Sequence, residues 1–264
     1  MKCKKFPTGK WYTKDCLRAL PRIKSASIDL IICDLPYGTT KHKWDSIIPL
    51  ELLWREYWRV LKPNGVIVLT AAMPFTAALV SSQLEHFSYE WIWRKNSGSG
   101  FASAKYQPLR YHESILVFKR KGTKGHTYNP QPTPRLTEAS KRATQKPITG
   151  NSKQKHAGAP VTKVTVQYDS NNKYPETILN FNSVPNGGGK KLHPTQKPVD
   201  LIEYIIRTYT DPEELVLDNT AGSGTTAVAA INTNRRWICM ENNIDYADRA
   251  KDRITKCYAA LGVD

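Results

Sequence analysis

The segment Asp34-Leu35-Pro36-Tyr37 follows a run of apolar residues and carries groups suited to activating an amine. The amine of a heteroaromatic base is a poor nucleophile, because its lone pair is delocalised into the ring. A carboxylate and a main-chain carbonyl that accept its N–H hydrogens would draw the nitrogen toward tetrahedral geometry. Asp34 supplies the carboxylate, and Leu35 or Pro36 the carbonyl, since proline fixes the turn and donates nothing. Tyr37 can stack on the base; the alternative is a plain strand-end turn with a buried tyrosine.

A second segment, Leu217-Asp218-Asn219-Thr220-Ala221-Gly222-Ser223-Gly224-Thr225-Thr226, joins an apolar run to the start of a helical pattern. Glycines let a ligand approach the backbone closely, and the first turn of a helix offers free N–H groups. Glu241 lies nineteen residues after Gly222, at the end of the next apolar run. A carboxylate in that place can accept both ribose hydroxyls of a nucleoside. Together these features predict a nucleoside-cofactor site.

Both segments follow predicted strands in an alternating βαβα pattern, which favours a mainly parallel sheet with helices on both faces. In such sheets the carboxyl ends of the strands carry the chemistry. Strands are predicted over 28–33, 66–69, 89–93, 114–118, 215–218 and 237–240, and helices over 50–61, 74–84, 199–209, 223–231 and 245–261, with residues 62–65 ending the first helix.

The composition favours a globular protein that binds a polyanion. The 264 residues are 40% hydrophobic and carry a net charge of +16, which attracts phosphate backbones. Residues 119–197 contain fifteen Lys or Arg and three acids, so they hold +12 of that charge. This basic segment is either an insertion that faces DNA or a solvated, partly disordered loop.

The cysteine spacing and the lengths of the apolar runs exclude several classes of protein. The five scattered cysteines form no Cys-x-x-Cys pair and have no histidine at zinc-ligand spacing, so neither a metal nor a disulfide framework is expected. The basic residues 1–5 are not followed by the apolar run of a signal peptide. Since no window reaches the ~20 apolar residues that span a bilayer, we expect no membrane contact and a cytoplasmic location.

In motif content and order the chain resembles the amino-methyltransferase family of bacterial and phage DNA methylases, in the permuted beta-class arrangement where the catalytic motif comes first. Residues 34–37 resemble the family's Asp-Pro-Pro-Tyr, with Leu35 in place of the first proline. Residues 217–226 resemble its cofactor loop, with Asn219-Thr220-Ala221 where Pro-Phe is common. His193-Pro194-Thr195-Gln196-Lys197-Pro198, residues 236–241 and the pair Asp15-Cys16 also match. The resemblance covers about residues 10–120 and 190–258.

The resemblance implies an α/β, Rossmann-like S-adenosylmethionine-dependent methyltransferase fold with a seven-stranded, mostly parallel sheet. Residues 1–120 and 191–264 would form the catalytic domain, and 121–190 an inserted target-recognition region. His193 and Lys197 could instead be surface or helix-start groups. The implied catalytic residues are Asp34, Pro36 and Tyr37, and the implied cofactor contacts are Asp15, Cys16, Asp34, His193, Lys197, Asp218, Ala221, Gly222, Gly224, Thr225 and Glu241, with no metal.

The activity implied is methyl transfer from S-adenosylmethionine to the N6 amine of adenine in a specific sequence of double-stranded DNA, with the base flipped out. Asp34 rather than serine favours adenine over the alternative, cytosine N4. Protein glutamine methylation, a nucleotide-dependent dehydrogenase and a non-catalytic DNA-binding module each leave part of the sequence unused. Cys33 is expected to be a small buried strand residue, which argues against cytosine C5 chemistry.

Two further expectations concern a loop and the partners. Phe101, Tyr106 and Arg110 could order as a lid on the flipped base, or form a surface loop with aromatic anchors. DNA is the expected partner, while a homodimer and a cognate restriction endonuclease are left open.

Overall fold

The computed structural model describes residues 3–38, 45–134, 172–185 and 191–263, which belong to two compact units. The first unit comprises Met1–Asn129 and Thr177–Asp264, and the second Pro130–Glu176. The described part of the second unit contains a two-stranded antiparallel ladder of Thr133–Pro134 with Asn172–Lys173. Most of the predicted target-recognition region, 121–190, lies outside the described residues, and its role stays a prediction.

A mostly parallel sheet forms the centre of the first unit, which confirms the predicted α/β class. Among the described residues it has nine strands, in the order β1-β2-β11-β10-β3-β4-β6-β5-β9. Five neighbouring pairs are parallel and three are antiparallel. Strands β7 and β8 form the ladder of the second unit. The described strands are β1 Cys3–Phe6, β2 Gly9–Thr13, β3 Ile28–Asp34, β4 Leu61–Ala71, β5 Phe87–Ser99, β6 Arg110–Phe118, β7 Thr133–Pro134, β8 Asn172–Lys173, β9 Ile178–Asn180, β10 Leu215–Asp218 and β11 Arg236–Glu241.

The resemblance implies seven strands, but the described sheet has nine, and three of them, β1, β2 and β9, were not predicted from the sequence. The first strand, β1, is mostly exposed and rich in lysine, so it shows no buried apolar run. At the other edge β9 has only three residues. Both strands are held by backbone pairing to β2 and β5 rather than by their own hydrophobic pattern.

Helices cover both faces of the sheet, as the alternation predicts. Successive side chains of β3 point to opposite faces, so Leu30 and Ile32 join one hydrophobic cluster while Ile31 and Cys33 join the other. None of the described helices is long and apolar enough to cross a membrane. The helices are α1 Cys16–Ala19, α2 Leu50–Val60, α3 Phe75–Ser82, α4 Val199–Tyr209, α5 Thr225–Asn232 and α6 Ile244–Ala260.

Residues 62–65 end α2 in the predicted place, but they form an irregularity inside β4 rather than a separate turn. The ladder between β3 and β4 pairs Ile28 with Leu61 and then Leu30 with Val66, so the extra residues of β4 bulge out. A Cβ at Gly65 would lie 2.9 Å from the main-chain oxygen of Asp29, which explains the glycine at that position.

Gly9 offers a test of the packing at the junction of β2 and β11. A Cβ added there would lie 2.1 Å from the indole of Trp237, which is fully buried and cannot move aside. We expect Gly9→Ala to lower the free energy of unfolding by about 1–3 kcal/mol, as overpacking does, measured by urea denaturation. The loss should shrink in a Trp237→Phe background; an equal loss in both backgrounds would contradict this clash.

Candidate active site

Three acidic side chains end neighbouring parallel strands and line one cavity of about 960 Å³. Asp34 ends β3, Asp218 ends β10 and Glu241 ends β11. On the next strand, Thr70 of β4 lies in register with Asp34 and also lines the cavity. Open α/β sheets bind ligands beyond the carboxyl ends of their strands. The fold therefore brings the two predicted motifs together where it can bind a ligand.

The carboxylate of Asp34 accepts hydrogen bonds from three side chains. Its Oδ1 accepts from the hydroxyls of Tyr37, at 2.8 Å, and Thr70, at 2.5 Å, and its Oδ2 accepts from Nζ of Lys197 at 2.6 Å. The Asp34 side chain keeps 24% of its surface exposed, in the cavity. A carboxylate has about four acceptor positions, so one position is left for a ligand N–H.

Lys197 is buried between two carboxylates. Its Nζ lies 3.2 Å from Oε2 of Glu113, an ion pair without hydrogen-bond geometry, and the other oxygen of Glu113 accepts from Lys95 at 3.1 Å. Burial acts to lower the pKa of Lys197, but Asp34 and Glu113 raise it well above 10.5. Burial acts to raise the pKa of Glu113, but Lys197 and Lys95 lower it below 4.5. The cluster thus contains two cations and two anions.

The position of Lys197 excludes one alternative to its predicted role. It is only 8% exposed, so it is not a surface cation. Its ammonium pairs with Asp34 and Glu113 and lies at the cavity, and its predicted contact with a cofactor stays a prediction. Thr70, Glu113 and Lys95 were missed, because they lie on three separate strands and belong to no sequence motif. The parallel pairing of β4 with β3 brings Thr70 to Asp34, and the antiparallel pairing of β6 with β4 and β5 brings Glu113 and Lys95 to the same place.

The opposite end of the cavity is built around Glu241. Its Oε2 accepts from the backbone N–H of Gly222 at 2.9 Å, and its Oε1 accepts from that of Asn243 at 2.8 Å. Gly222 has a φ of +48°, which favours glycine. Burial raises the pKa of Glu241 above 4.5, against the lowering effect of these N–H groups. The carboxylate is thereby fixed in orientation and keeps acceptor positions for a ligand.

His193 lies beside the same loop. Its ring contacts the ring of Tyr246 edge to face, with centroids 4.3 Å apart, and its Nδ1 lies 3.1 Å from Oγ1 of Thr195. A Cβ built on Gly222 would be 3.5 Å from the His193 ring. Both rings line the cavity, so they form a wall against which a flat ligand could pack.

Asp218 occupies the middle of the cavity floor. It is buried, and its two oxygens accept from the N–H of Thr220 at 3.0 Å and from the hydroxyl of Thr226 at 2.6 Å. Burial raises the pKa of Asp218 from 3.8 to about 7, and the neighbouring Asp34 and Glu241 add to the rise. The carboxyl group of Asp218 therefore titrates near neutral pH.

The structure brings nearly all the predicted residues together and corrects the role predicted for Gly224. Gly224 does not line the cavity: it caps α5 with a φ of +74°, and a Cβ there would be 3.2 Å from Cβ of Ala250 on α6. The glycine is needed for backbone conformation and helix packing. The predicted residues that do line the cavity are Asp15, Cys16, Asp34, Pro36, Tyr37, His193, Lys197, Asp218, Ala221, Gly222, Thr225 and Glu241.

Cys33 is a buried strand residue, as predicted. Its Sγ donates to Oδ1 of Asn219 at 2.9 Å, and the Tyr57 hydroxyl donates to the same oxygen. Burial raises the pKa of Cys33 well above 9, so it is not a thiolate nucleophile. Asn219, which departs from the family's usual residue, links β3 to α2 beneath the loop. In the described part of the chain, no group of three or more His, Cys, Asp or Glu side chains could hold a metal.

Fold and site define an open α/β protein in which one cavity contains two strand-end carboxylates, one bonded to a glycine-containing loop and the other held by three side-chain donors. A family described as DNA methylase matches residues 28–252, so the chain belongs to that family and is a DNA methyltransferase. It is 31% identical over 262 residues to the type II methyltransferase M1.MboII of Moraxella bovis, covering 92% of this chain and 95% of that protein.

Two solved structures share the fold. M1.HpyAVI in complex with SAM matches with a TM-score of 0.61 and 22% identity, over 93% of this chain and 99% of that one. The PvuII DNA methyltransferase, described as cytosine-N4-specific, matches with a TM-score of 0.65 and 18% identity, over 97% of this chain and 93% of that one. These likenesses confirm the Rossmann-like methyltransferase fold.

The raised pKa of Asp218 predicts how stability depends on pH. The folded state favours the protonated carboxyl, so this stabilisation is fully present below pH ~4, the unfolded value, and is lost as the pH rises to about 7. We therefore expect the wild-type protein to lose stability relative to Asp218→Asn across that range, by at most about 1.4 kcal/mol per pH unit. Denaturant unfolding of the ligand-free protein at pH 4.5–8 measures the difference. If the stability of both proteins changed in the same way with pH, the result would contradict the raised pKa of Asp218.

Proposed function

We propose that this DNA methyltransferase transfers a methyl group from S-adenosylmethionine to the N6 amine of adenine within a specific sequence of double-stranded DNA, after the adenine has left the base stack. The observation that carries the proposal is the single cavity shared by Asp34 and Glu241. A nucleoside donor bound at Glu241 and an amine bound at Asp34 would therefore share one space.

The residues around Glu241 fit S-adenosylmethionine. The Glu241 carboxylate could accept the ribose hydroxyls, and Gly222 allows a close approach of the ligand to the backbone. The rings of His193 and Tyr246 offer apolar contact for the adenine. A volume of about 960 Å³ accommodates a donor of this size and a base. M1.HpyAVI, which shares the fold, is described as a complex with SAM. When bound, the donor supplies an electrophilic methyl group.

Asp34 would accept one N–H of the target amine, and the carbonyl of Leu35 or Pro36 the other. Three donors hold the Asp34 carboxylate in place, and one of them, Lys197, pairs with it directly. Fixed acceptors of this kind contribute by positioning and by preorganised electrostatics. Methylation leaves an acidic ammonium that loses its proton readily, so no strong base is required.

Tyr37 would contact the flipped base through one face of its ring. Phe75 covers the other face, with ring centroids 5.4 Å apart and planes inclined by 28°. The hydroxyl is tied to Asp34. The ring is therefore held at its edge and on one face, which limits the entropy lost when a base stacks on it.

The aspartate at position 34 supports adenine as the target, because a serine at that position would favour cytosine. The alternative is cytosine N4, because both targets are exocyclic amines and the similar PvuII enzyme is described as cytosine-N4-specific. The type II description of M1.MboII supports a restriction-modification context with a cognate endonuclease. The basic region 121–190 would recognise the target sequence. Whether the protein acts as a homodimer is left open.

The function is tested by incubating the purified protein with methyl-labelled S-adenosylmethionine and unmethylated genomic DNA, then digesting the DNA to nucleosides for mass spectrometry. We expect N6-methyladenine. Asp34→Asn should lower kcat by at least about a hundredfold, as loss of one preorganised group in the transition state does, while donor binding is retained. Asp252→Asn, at an exposed position, is the matched control. Detection of N4-methylcytosine would overturn the choice of adenine as the target base. If the DNA acquired no label, the proposed function would be overturned.

A separate measurement distinguishes two roles for Lys197, which are positioning Asp34 and binding the methyl donor. If it positions Asp34, Lys197→Met should lower kcat about tenfold to a hundredfold and leave the Kd for S-adenosylmethionine within about twofold. The double variant Lys197→Met/Glu113→Gln keeps the cluster neutral and so controls for the change in net charge that Lys197→Met alone causes. A large rise in Kd with normal kcat would instead assign Lys197 to the donor.

A further inference from the structure

The loop between β5 and β6, residues 100–109, presents two aromatic rings to solvent. Phe101 is 68% exposed and Tyr106 is 89% exposed. Neither ring lines the cavity, so the structure shows no lid closed over Asp34. They also do not anchor the loop to the protein, since most of each ring is uncovered. Two exposed aromatic rings on one short loop make that loop a candidate binding surface.

The loop is ordered although its rings are exposed. Ser103 accepts from the N–H groups of Tyr106 and Gln107 at 2.9 and 3.1 Å, and its own N–H donates to Gly100 at 3.0 Å. The base of the loop is held by Tyr111, whose ring lies so close to Gly98 that a Cβ there would be 2.7 Å away. The two exposed rings are thus presented on a preformed support, which reduces the entropy lost on binding.

Both ends of the loop lie at the cavity that contains Asp34. Ser99, the last residue of β5, and Arg110, the first residue of β6, line this cavity. Phe101 follows Ser99 by two residues, and Tyr106 precedes Arg110 by four. The loop that carries both rings therefore begins and ends at the rim of the space where the target amine would be held.

The charge around the rings suits a nucleic acid. Residues 94–112 contain no acid and three exposed cations, Arg94, Lys105 and Arg110. The fourth cation, Lys95, pairs with Glu113 and is not available to DNA. Lys105, next to Tyr106, and Arg110 are exposed. Cations beside aromatic rings are the combination by which proteins bind phosphates while stacking on bases.

We propose that residues 100–109 form a wedge that enters the DNA duplex beside the target base, with the ring of Tyr106 taking the place of the flipped base and Phe101 supporting it. This inference rests on the proposed function. Flipping a base breaks its stacking and pairing, and an inserted ring restores part of the stacking. Lys105 and Arg110 bind the flanking phosphates. The open duplex is stabilised from outside the cavity, while Asp34 acts within it.

The test compares two oligonucleotide duplexes that carry the recognition site, mapped beforehand from methylated genomic DNA. In one duplex the target base is paired, and in the other it faces an abasic position, so it flips at little cost. We expect Tyr106→Ala to lower kcat/KM about tenfold to a hundredfold on the paired duplex and less than about threefold on the abasic one. Phe101→Ala should show a smaller loss of the same kind, and Tyr106→Trp should retain activity.

Leu84→Ala is the matched control, because Leu84 is an exposed apolar residue, 69% exposed, outside the 94–112 stretch. Fluorescence of 2-aminopurine at the target position reports flipping directly and should rise less with Tyr106→Ala than with the wild-type protein. Equal losses on both duplexes, or wild-type activity on both, would overturn the wedge. A wild-type protein that methylates neither duplex nor genomic DNA would instead overturn the proposed function.

Discussion

The bond between Asp34 and Lys197 is the interaction on which the site depends, because it joins parts of the chain that are 163 residues apart. Asp34 ends β3, whereas Lys197 precedes α4, beyond the basic segment. Burying one of these charges alone would be costly, and neither has full compensation without the other. The pair therefore favours the arrangement in which the segment before α4 packs against the carboxyl end of β3. Glu113 and Lys95 extend the pair into a four-charge cluster.

The sequence predicted the parts of the site that follow from strand order. Asp34 and Glu241 could be placed in one cavity because parallel strands end at the same edge of the sheet. Glu113 and Lys95 could not, because they come from antiparallel strands whose register depends on pairing between distant segments. Gly224 was assigned to the ligand because a glycine at a helix start fits either binding or packing. Its contact with Ala250 depends on where α6 lies, which no local pattern specifies.

The same limit applies to the edges of the sheet and to the loop between β5 and β6. The core strands were predicted because they are continuously buried, but β1 and β9 exist through pairing alone. For Phe101 and Tyr106, the sequence allowed either a lid or anchored side chains. In the sequence, an aromatic residue looks the same whether its ring packs inside the protein or lies exposed at the surface. Only the exposure of the ring in the folded structure distinguishes the two.

The charges suggest why catalysis and DNA attraction are separated in space. Within the cavity, Asp34 and Glu113 are balanced by Lys197 and Lys95, so the cluster has no net charge to attract DNA from a distance. An uncompensated cation beside Asp34 would bind phosphate and compete with the target base. The positive potential is carried instead by the exposed cations of residues 94–112 and by the basic segment. Under the proposed function, the exposed cations of residues 94–112 would draw DNA to the rim, and only a neutral base would need to enter the cavity.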